Sequence, residues 1–274
     1  MSKPAWLTLL WILVSGTAVY AAMLAFLWFK QESLMFYPVP LPANYPLARE
    51  PDIHERTVQV DGAQLSVMHL KLPDPKGVIF FLHGNAGNLA GWFGNADFYR
   101  SANFDLVMPD YRGYGKSTGH ISSARQLRED VRAVWDAFAA QYQGKRVVLY
   151  GRSLGSGLAA DLAAQLSAEG RRPDLTVLVS AYESIRALTT EHYPWVPSAL
   201  VRYPLDTASH LPAIAGPVLL VHGERDALIG VHHAERLKSV APATDLLVVP
   251  GASHNDIHEF PVYRQELQEA LARL

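Results

Sequence analysis

VVLYGRSLGSGLAADL, residues 147–162, joins an apolar β-type run to a helical one through a turn carrying three glycines and a serine. Val147 to Tyr150 is β-branched and aromatic and suits a buried strand, whereas Leu154 to Ala168 is longer and alanine-rich and suits a helix. A strand that ends in Gly-x-Ser-x-Gly and enters a helix at once turns so sharply that only small residues fit beside the serine. Gly151, Gly155 and Gly157 meet that demand, and Ser153 is then held above a sheet at the positive end of a helix. The plainer reading is that Ser153 only caps the helix.

A serine hydroxyl is a weak nucleophile near neutral pH and needs a base to take its proton. In a turn of this kind the partners follow in the order acid then histidine, on loops after later strands. His254, in PGASH just after the run LLVV, occupies the place of the base. Asp226, in HGERD after VLLV, is the preferred acid to orient it, with Glu224 as the fallback and a salt bridge to Arg225 or another surface cation as the ordinary role of Glu224. Two backbone N–H groups must hold the developing oxyanion, and Leu154 and Asn85 are expected to supply them. Asn85 lies in HGNAGN, residues 83–88, where His83 is expected to brace the loop.

The chain has eleven histidines, so most need ordinary explanations. His54 and His69 read as exposed strand residues, and His222, His232 and His233 as surface or capping groups. A metal pair of His254 and His258 lacks the glutamate of an HExxH helix, so no metal is expected. No phosphate-cradle pattern GxxxxGK[ST] follows the glycine-rich loop, and no cofactor is expected. With no cysteine, a thiol nucleophile and cysteine zinc sites are excluded. A net charge of -2 gives no general attraction for polyanions, so nucleic acid is not an expected partner.

Working outward, Val78–Leu82, Leu106–Pro109, Leu175–Val179, Val218–Val221 and Leu246–Val249 are further short apolar runs. Their near-continuous hydrophobicity predicts strands covered on both faces. Helical periodicity over Ala124–Gln141 and the helix after Ser153 supply the crossovers of a mostly parallel sheet. Asp61-Gly62 predicts a tight turn between two antiparallel strands that open the domain at residue 53. Residues 182–211 interrupt the rhythm with Pro194, Pro197 and Pro204 and are expected to form a small lid. DYRGYGKS, residues 110–117, follows a strand's carboxyl end and reads either as a wall of the site or as a structural turn.

Ala5 to Phe29 carries no charge and spans about 37 Å as a helix at roughly 1.5 Å per residue, enough to cross a bilayer. Residues 1–30 are therefore expected to be a single-pass membrane anchor, with Trp6 and Trp28 at the interfaces and Lys3 and Lys30 bracketing the span. The competing reading is a signal peptide cleaved near Val19-Tyr20-Ala21, but the apolar run continues to Phe29. Residues 31–52, with five prolines, are expected to be a linker whose Leu34, Met35, Phe36 and Tyr37 pack on the globular domain of residues 53–274. The flanking charges are nearly balanced, and the expectation leans to an extracytoplasmic domain.

HGNAGN, DYRGYGKS, GRSLGSG, HGERDALI (222–229) and GASHNDI (251–257), in this order, resemble the membrane-associated α/β-hydrolase-domain family of eukaryotic protein depalmitoylases and their bacterial relatives. The resemblance covers the chain from about Glu32 to its end and implies an α/β-hydrolase fold with Ser153, Asp226 and His254 as a triad. Asn255 and Asp256, beside the histidine, are expected to cap a helix. The depalmitoylases attach to membranes through a cysteine-rich amino terminus, whereas here a hydrophobic span stands in its place, so their substrate does not carry over. The expected activity is hydrolysis of acyl esters or thioesters through an acyl-enzyme, with a lipid-like acyl group as the leading substrate. The alternatives are a non-catalytic membrane-bound binding or scaffold protein and a serine peptidase or amidase.

Overall fold

The structure, a computed structural model, describes residues 4–274; Lys3, expected to bracket the span, lies outside the described residues. Helix α1 (Ala5–Met35) opens the chain, with a mean hydropathy of 2.0 in its most apolar window and no part of that window buried. Strands β1 (Ile53–Val60) and β2 (Ala63–Leu70) form the predicted hairpin, and Gly62 takes the positive φ of +70° that its turn requires. Then follow β3 (Gly77–Leu82), α2 (Ala96–Ala102), β4 (Phe104–Pro109), α3 (Ala124–Ala139), β5 (Arg146–Arg152) and α4 (Leu154–Ala168). The chain ends with β6 (Leu175–Val179), α5 (Ile185–His192), β7 (Val218–Gly223), α6 (His232–Val240), β8 (Asp245–Val249) and α7 (Pro261–Ala272).

The eight strands form one sheet in the order β8-β7-β6-β5-β3-β4-β2-β1, parallel from β8 through β4 and antiparallel at the β2 and β1 edge. Because successive side chains on a strand point to opposite faces, each strand feeds two cores. Phe80, Leu82, Val107, Leu149, Leu178 and Leu220 pack with α3 and α4. Ile79, Phe81, Val148, Tyr150, Val177 and Val221 pack with α2 and α7. This double coverage accounts for the unbroken apolar runs in the central strands.

The segment expected to be a linker differs from expectation. Helix α1 continues five residues past Lys30, because Gln31, Glu32 and Met35 find partners on the globular domain. Beyond it, Tyr37–Pro38 pairs in parallel with Ala86–Gly87, and Pro40 bridges Gly115. Phe36 and Leu47 are buried, whereas Leu34 and Tyr37 are exposed, so only part of the apolar quartet packs on the domain. Residues 182–211 hold α5 and several short helical turns, and they lie against α1: the Tyr20 hydroxyl donates to the Trp195 carbonyl at 2.7 Å, and Gln31 brackets Leu200 and Arg202.

Candidate active site

Ser153 sits between the last residue of β5 and the first of α4, with φ +50° and ψ -120°, a left-handed geometry that costs a residue with a Cβ on the order of 1–3 kcal/mol. The surroundings enforce it. A Cβ on Gly155 would overlap the Leu82 carbonyl, and one on Gly151 would overlap the Gly155 carbonyl, so strand and helix approach too closely for any other residue. The Ser153 N–H donates to Val179 O at 2.9 Å, and its own carbonyl accepts from Ser156. These contacts lock the turn without engaging the hydroxyl.

The side chains expected to cooperate are brought together. His254 Nε2 lies 3.1 Å from Ser153 Oγ, and His254 Nδ1 lies 2.7 Å from Asp226 Oδ2. Asp226 is held in turn, since its Oδ1 accepts from the N–H groups of Leu228 and Ile229 at 3.0 and 2.8 Å. Burial pushes this carboxyl's pKa up, but the His254 imidazole and the Ile229 N–H outweigh it and keep the pKa below the ordinary aspartate value. An ionised Asp226 fixes Nδ1 as the protonated nitrogen and leaves Nε2 able to accept the serine proton.

The two expected oxyanion donors are both available. Among the described residues, neither the Leu154 nor the Asn85 backbone N–H donates to a carbonyl or side chain. Asn85 is pinned on its other atoms: its Nδ2 donates to Met35 O at 2.8 Å, and its carbonyl accepts from Tyr37 N–H at 2.8 Å and from Tyr114 Oη at 2.7 Å. His83 is fully buried, its Nδ1 is 2.7 Å from Gly84 O, and Tyr111 Oη donates to its carbonyl at 2.8 Å. Burial raises the pKa of both tyrosines and keeps the phenols protonated as donors. The segment 110–117 therefore acts as a buried support beneath the 83–88 loop.

Several residues depart from their expected roles. Glu224 does not pair with Arg225; its Oε2 accepts the Gly251 N–H at 2.8 Å and anchors the His254 loop. Asp256 caps no helix with its side chain and instead accepts the Ser253 N–H at 2.7 Å across His254. His69 is buried, 2.8 Å from Tyr142 Oη, and His222 and His233 are buried as well. Arg152 was not singled out by sequence, yet its Nη2 donates to the carbonyls of His254 and Asn255 at 3.1 and 3.0 Å. Its position inside the serine motif was the only available signal. Among the described residues, the group with metal-ligand character is Glu191, His232 and His233, whose donor atoms lie within 4.8 Å of one another, and His258 does not join His254 in one.

An elbow serine at the carboxyl edge of such a sheet, with its histidine after β8 and its acid after β7, defines an α/β-hydrolase. Residues 73–203 match the family profile Hydrolase_4, described as serine aminopeptidase, S33. An uncharacterized protein of Mycobacterium tuberculosis is 28% identical over 87% of this chain and 85% of its own length. The alpha/beta hydrolase domain-containing protein 17B of Xenopus laevis is 27% identical over 77% of this chain and 72% of its own. Among solved structures, an esterase of Pyrococcus furiosus superposes with a TM-score of 0.65 at 21% identity, covering 87% of this chain and 97% of that one. The thioesterase domain from the curacin biosynthetic pathway does so at 0.59 and 14%, covering 80% and 99%. The chain has the α/β-hydrolase fold and, over residues 73–203, resembles the Hydrolase_4 family, with distant similarity to the domain-containing 17 proteins and to bacterial uncharacterized relatives.

Proposed function

We propose that this protein is a serine hydrolase that cleaves acyl esters or thioesters at Ser153, a carboxylesterase or lysophospholipase-like enzyme tethered by α1. The observation that carries the reading is the unbroken relay from Ser153 Oγ through His254 to Asp226, at 3.1 and 2.7 Å. Ser153 Oγ attacks the acyl carbon while His254 Nε2 takes the hydroxyl proton, and the carbonyl oxygen becomes an anion facing the N–H groups of Leu154 and Asn85. The bond to the leaving oxygen or sulfur then breaks, and His254 returns the proton to it. Water repeats the sequence, adding its hydroxyl to the acyl carbon and releasing the acid and the free serine.

The apolar helix supports attachment to a membrane, with Ala5–Phe29 in the bilayer and residues 182–211 as a lid beside it. Because the lid touches α1 through Tyr20, Gln31 and Glu32, the site opens close to the lipid, which favours a lipid-like acyl group. The family description favours one second reading, a serine aminopeptidase. A free α-ammonium group approaching Ser153 would meet the like-charged Arg152 guanidinium, which weighs against it. The test is turnover of p-nitrophenyl acyl esters and labelling by a fluorophosphonate, with Ser153→Ala as control. Loss of both signals in the variant is expected; equal signals in variant and parent would remove Ser153 as the nucleophile, and no signal from the parent would overturn the proposal in favour of a non-catalytic scaffold. Aminoacyl p-nitroanilides in the same assay separate the peptidase from the esterase.

A further inference from the structure

A cavity of about 1060 Å³ opens beside the candidate active site, lined by Trp92, Arg152, Asn255, His258, Tyr263 and Arg264 among others. It draws no residue from α1 or from residues 182–211, the apolar elements on which the acyl reading rests. Arg152 and Asn255, the chain neighbours of Ser153 and His254, bring charge and polarity to a lining rich in aromatic side chains.

Arg152 precedes Ser153 directly, so its backbone is fixed by the same close-packed turn. Its guanidinium stacks over the Trp92 ring, 5.3 Å from the centroid, and its two hydrogen bonds go to carbonyls, both from Nη2. Among the described residues no carboxylate pairs with it, and Nε and Nη1 keep their hydrogens free. A half-buried guanidinium with unused donors is the group that binds a carboxylate or phosphate in two-point fashion. Trp92 restricts it further: the indole N–H donates to Ala86 O at 2.8 Å, and the ring packs against Gly84. Arg264 lines the same cavity from α7 and also lacks an ion pair among the described residues. Two acids reach the cavity. Asp97 shares Arg100 with Asp52 and Glu50 and stays largely in solvent, and Glu259 stands against two guanidinium groups. His258 adds no charge near neutrality, because burial and then the Arg152 charge push its pKa down.

We propose that this cavity is a subsite for a phosphate carried on the leaving-group side of the substrate, with Arg152 as its bidentate anchor and Arg264 as the second cation. The proposal rests on Ser153 being the nucleophile. It assigns the acyl chain to the side of α1 and residues 182–211 and the phosphate to the side of Trp92. A glycerophosphate head group and the phosphates of an acyl-coenzyme A thioester share this chemistry.

The experiment uses the full-length chain in detergent and compares three substrates of one acyl length: 1-acylglycerol 3-phosphate, the neutral 1-acylglycerol and acyl-coenzyme A. The readout is the ratio of kcat/KM for each phosphate-bearing substrate to that for the neutral ester. Because the ratio compares substrates on one enzyme, any slowing that Arg152 causes through the His254 loop is common to both and cancels, and fluorophosphonate titration corrects for the fraction of competent sites. The unsubstituted protein is expected to favour at least one phosphate-bearing substrate by tenfold or more, and which one identifies the source of the phosphate. Arg152→Gln is expected to collapse that ratio at least tenfold through KM, and Arg152→Lys to restore part of it. A ratio near one in the unsubstituted protein, or one unchanged in Arg152→Gln, would overturn the subsite while leaving Ser153 as nucleophile. Absence of labelling and turnover in the unsubstituted protein would take down the hydrolase reading and the subsite together.

Discussion

Asp226→Asn probes the relay at its least exposed member. In the parent, Oδ1 is committed to the Leu228 and Ile229 N–H groups and Oδ2 faces His254 Nδ1 at 2.7 Å. An asparagine there must keep its single oxygen on the two backbone donors, which turns its NH₂ toward Nδ1. Nδ1 must then accept, so the ring proton moves to Nε2 and faces Ser153, where a base is needed. The charge term is lost as well. An imidazolium and a carboxylate whose charge centres are about 4 Å apart attract by about 4 kcal/mol at an effective dielectric of about 20, worth roughly 10³ in rate. Steady-state hydrolysis of a short p-nitrophenyl ester is expected to show kcat reduced by about 10³ or more with KM little changed. Fluorophosphonate labelling should slow in parallel, and thermal unfolding should confirm that the variant is folded. Activity within tenfold of the parent in a folded Asp226→Asn protein would refute the assignment of Asp226 and move attention to Glu224.

Ser153→Gly is expected to abolish labelling while stabilising the fold by about 1 kcal/mol, since glycine takes φ +50° without the Cβ penalty; denaturant unfolding measures it. Burial pushes the pKa values of His222 and His233 below the ordinary histidine value of about 6.5. The unfolded chain therefore binds protons first as pH falls. Their contribution to stability is complete above about pH 6.5 and declines below it, approaching about 1.4 kcal/mol per pH unit for each ring. Urea titrations at pH 7.5 and 5.5 check this, a range that leaves Asp226 ionised because its lowered pKa matters only below about 3.8. Tyr114→Phe removes one buried donor to Asn85 O while Tyr37 N–H remains, so a stability loss of about 1 kcal/mol is expected by thermal unfolding. Deleting residues 1–30 is expected to release the protein from membranes with labelling retained, whereas deleting residues 1–40 should slow labelling, because Asn85 then loses Met35 and Tyr37.

The parts legible in sequence are those where one physical demand admits few residues. The strands read as apolar runs because both sheet faces are covered, and the elbow read as Gly-x-Ser-x-Gly because a Cβ at Gly151 or Gly155 would collide with backbone. Ser153, His254 and Asp226 followed from the order that the fold imposes on strand-end loops. What escaped depends on contacts between distant segments. His69 lies in phase with the apolar Leu65 and Val67 on β2, but an imidazole reads as a surface group until Tyr142 and Asp105 are seen to enclose it. Nothing local shows that Glu224 reaches Gly251, or that Met35, expected in a linker, ends a helix over Asn85. Proline-rich composition excludes a regular helix through residues 38–51 but says nothing about the five residues 31–35, which propensity alone leaves open.

Those five residues link the anchor to the chemistry. Through Gln31 and Glu32 helix α1 holds Leu200, Arg202 and Tyr203, and through Met35 it holds the side chain of Asn85, the residue proposed to donate its backbone N–H to the oxyanion. One turn of helix thus touches both residues 200–203 and the loop that, on the proposed reading, receives the oxyanion. An amide misplaced by 1 Å loses most of its value to a transition state, so the fixed position of Met35 is a condition of the geometry rather than a by-product of tethering. On the proposed reading, the bilayer that fixes α1 therefore also fixes the oxyanion loop, and a soluble domain cut within Gln31–Met35 lacks part of its own active site.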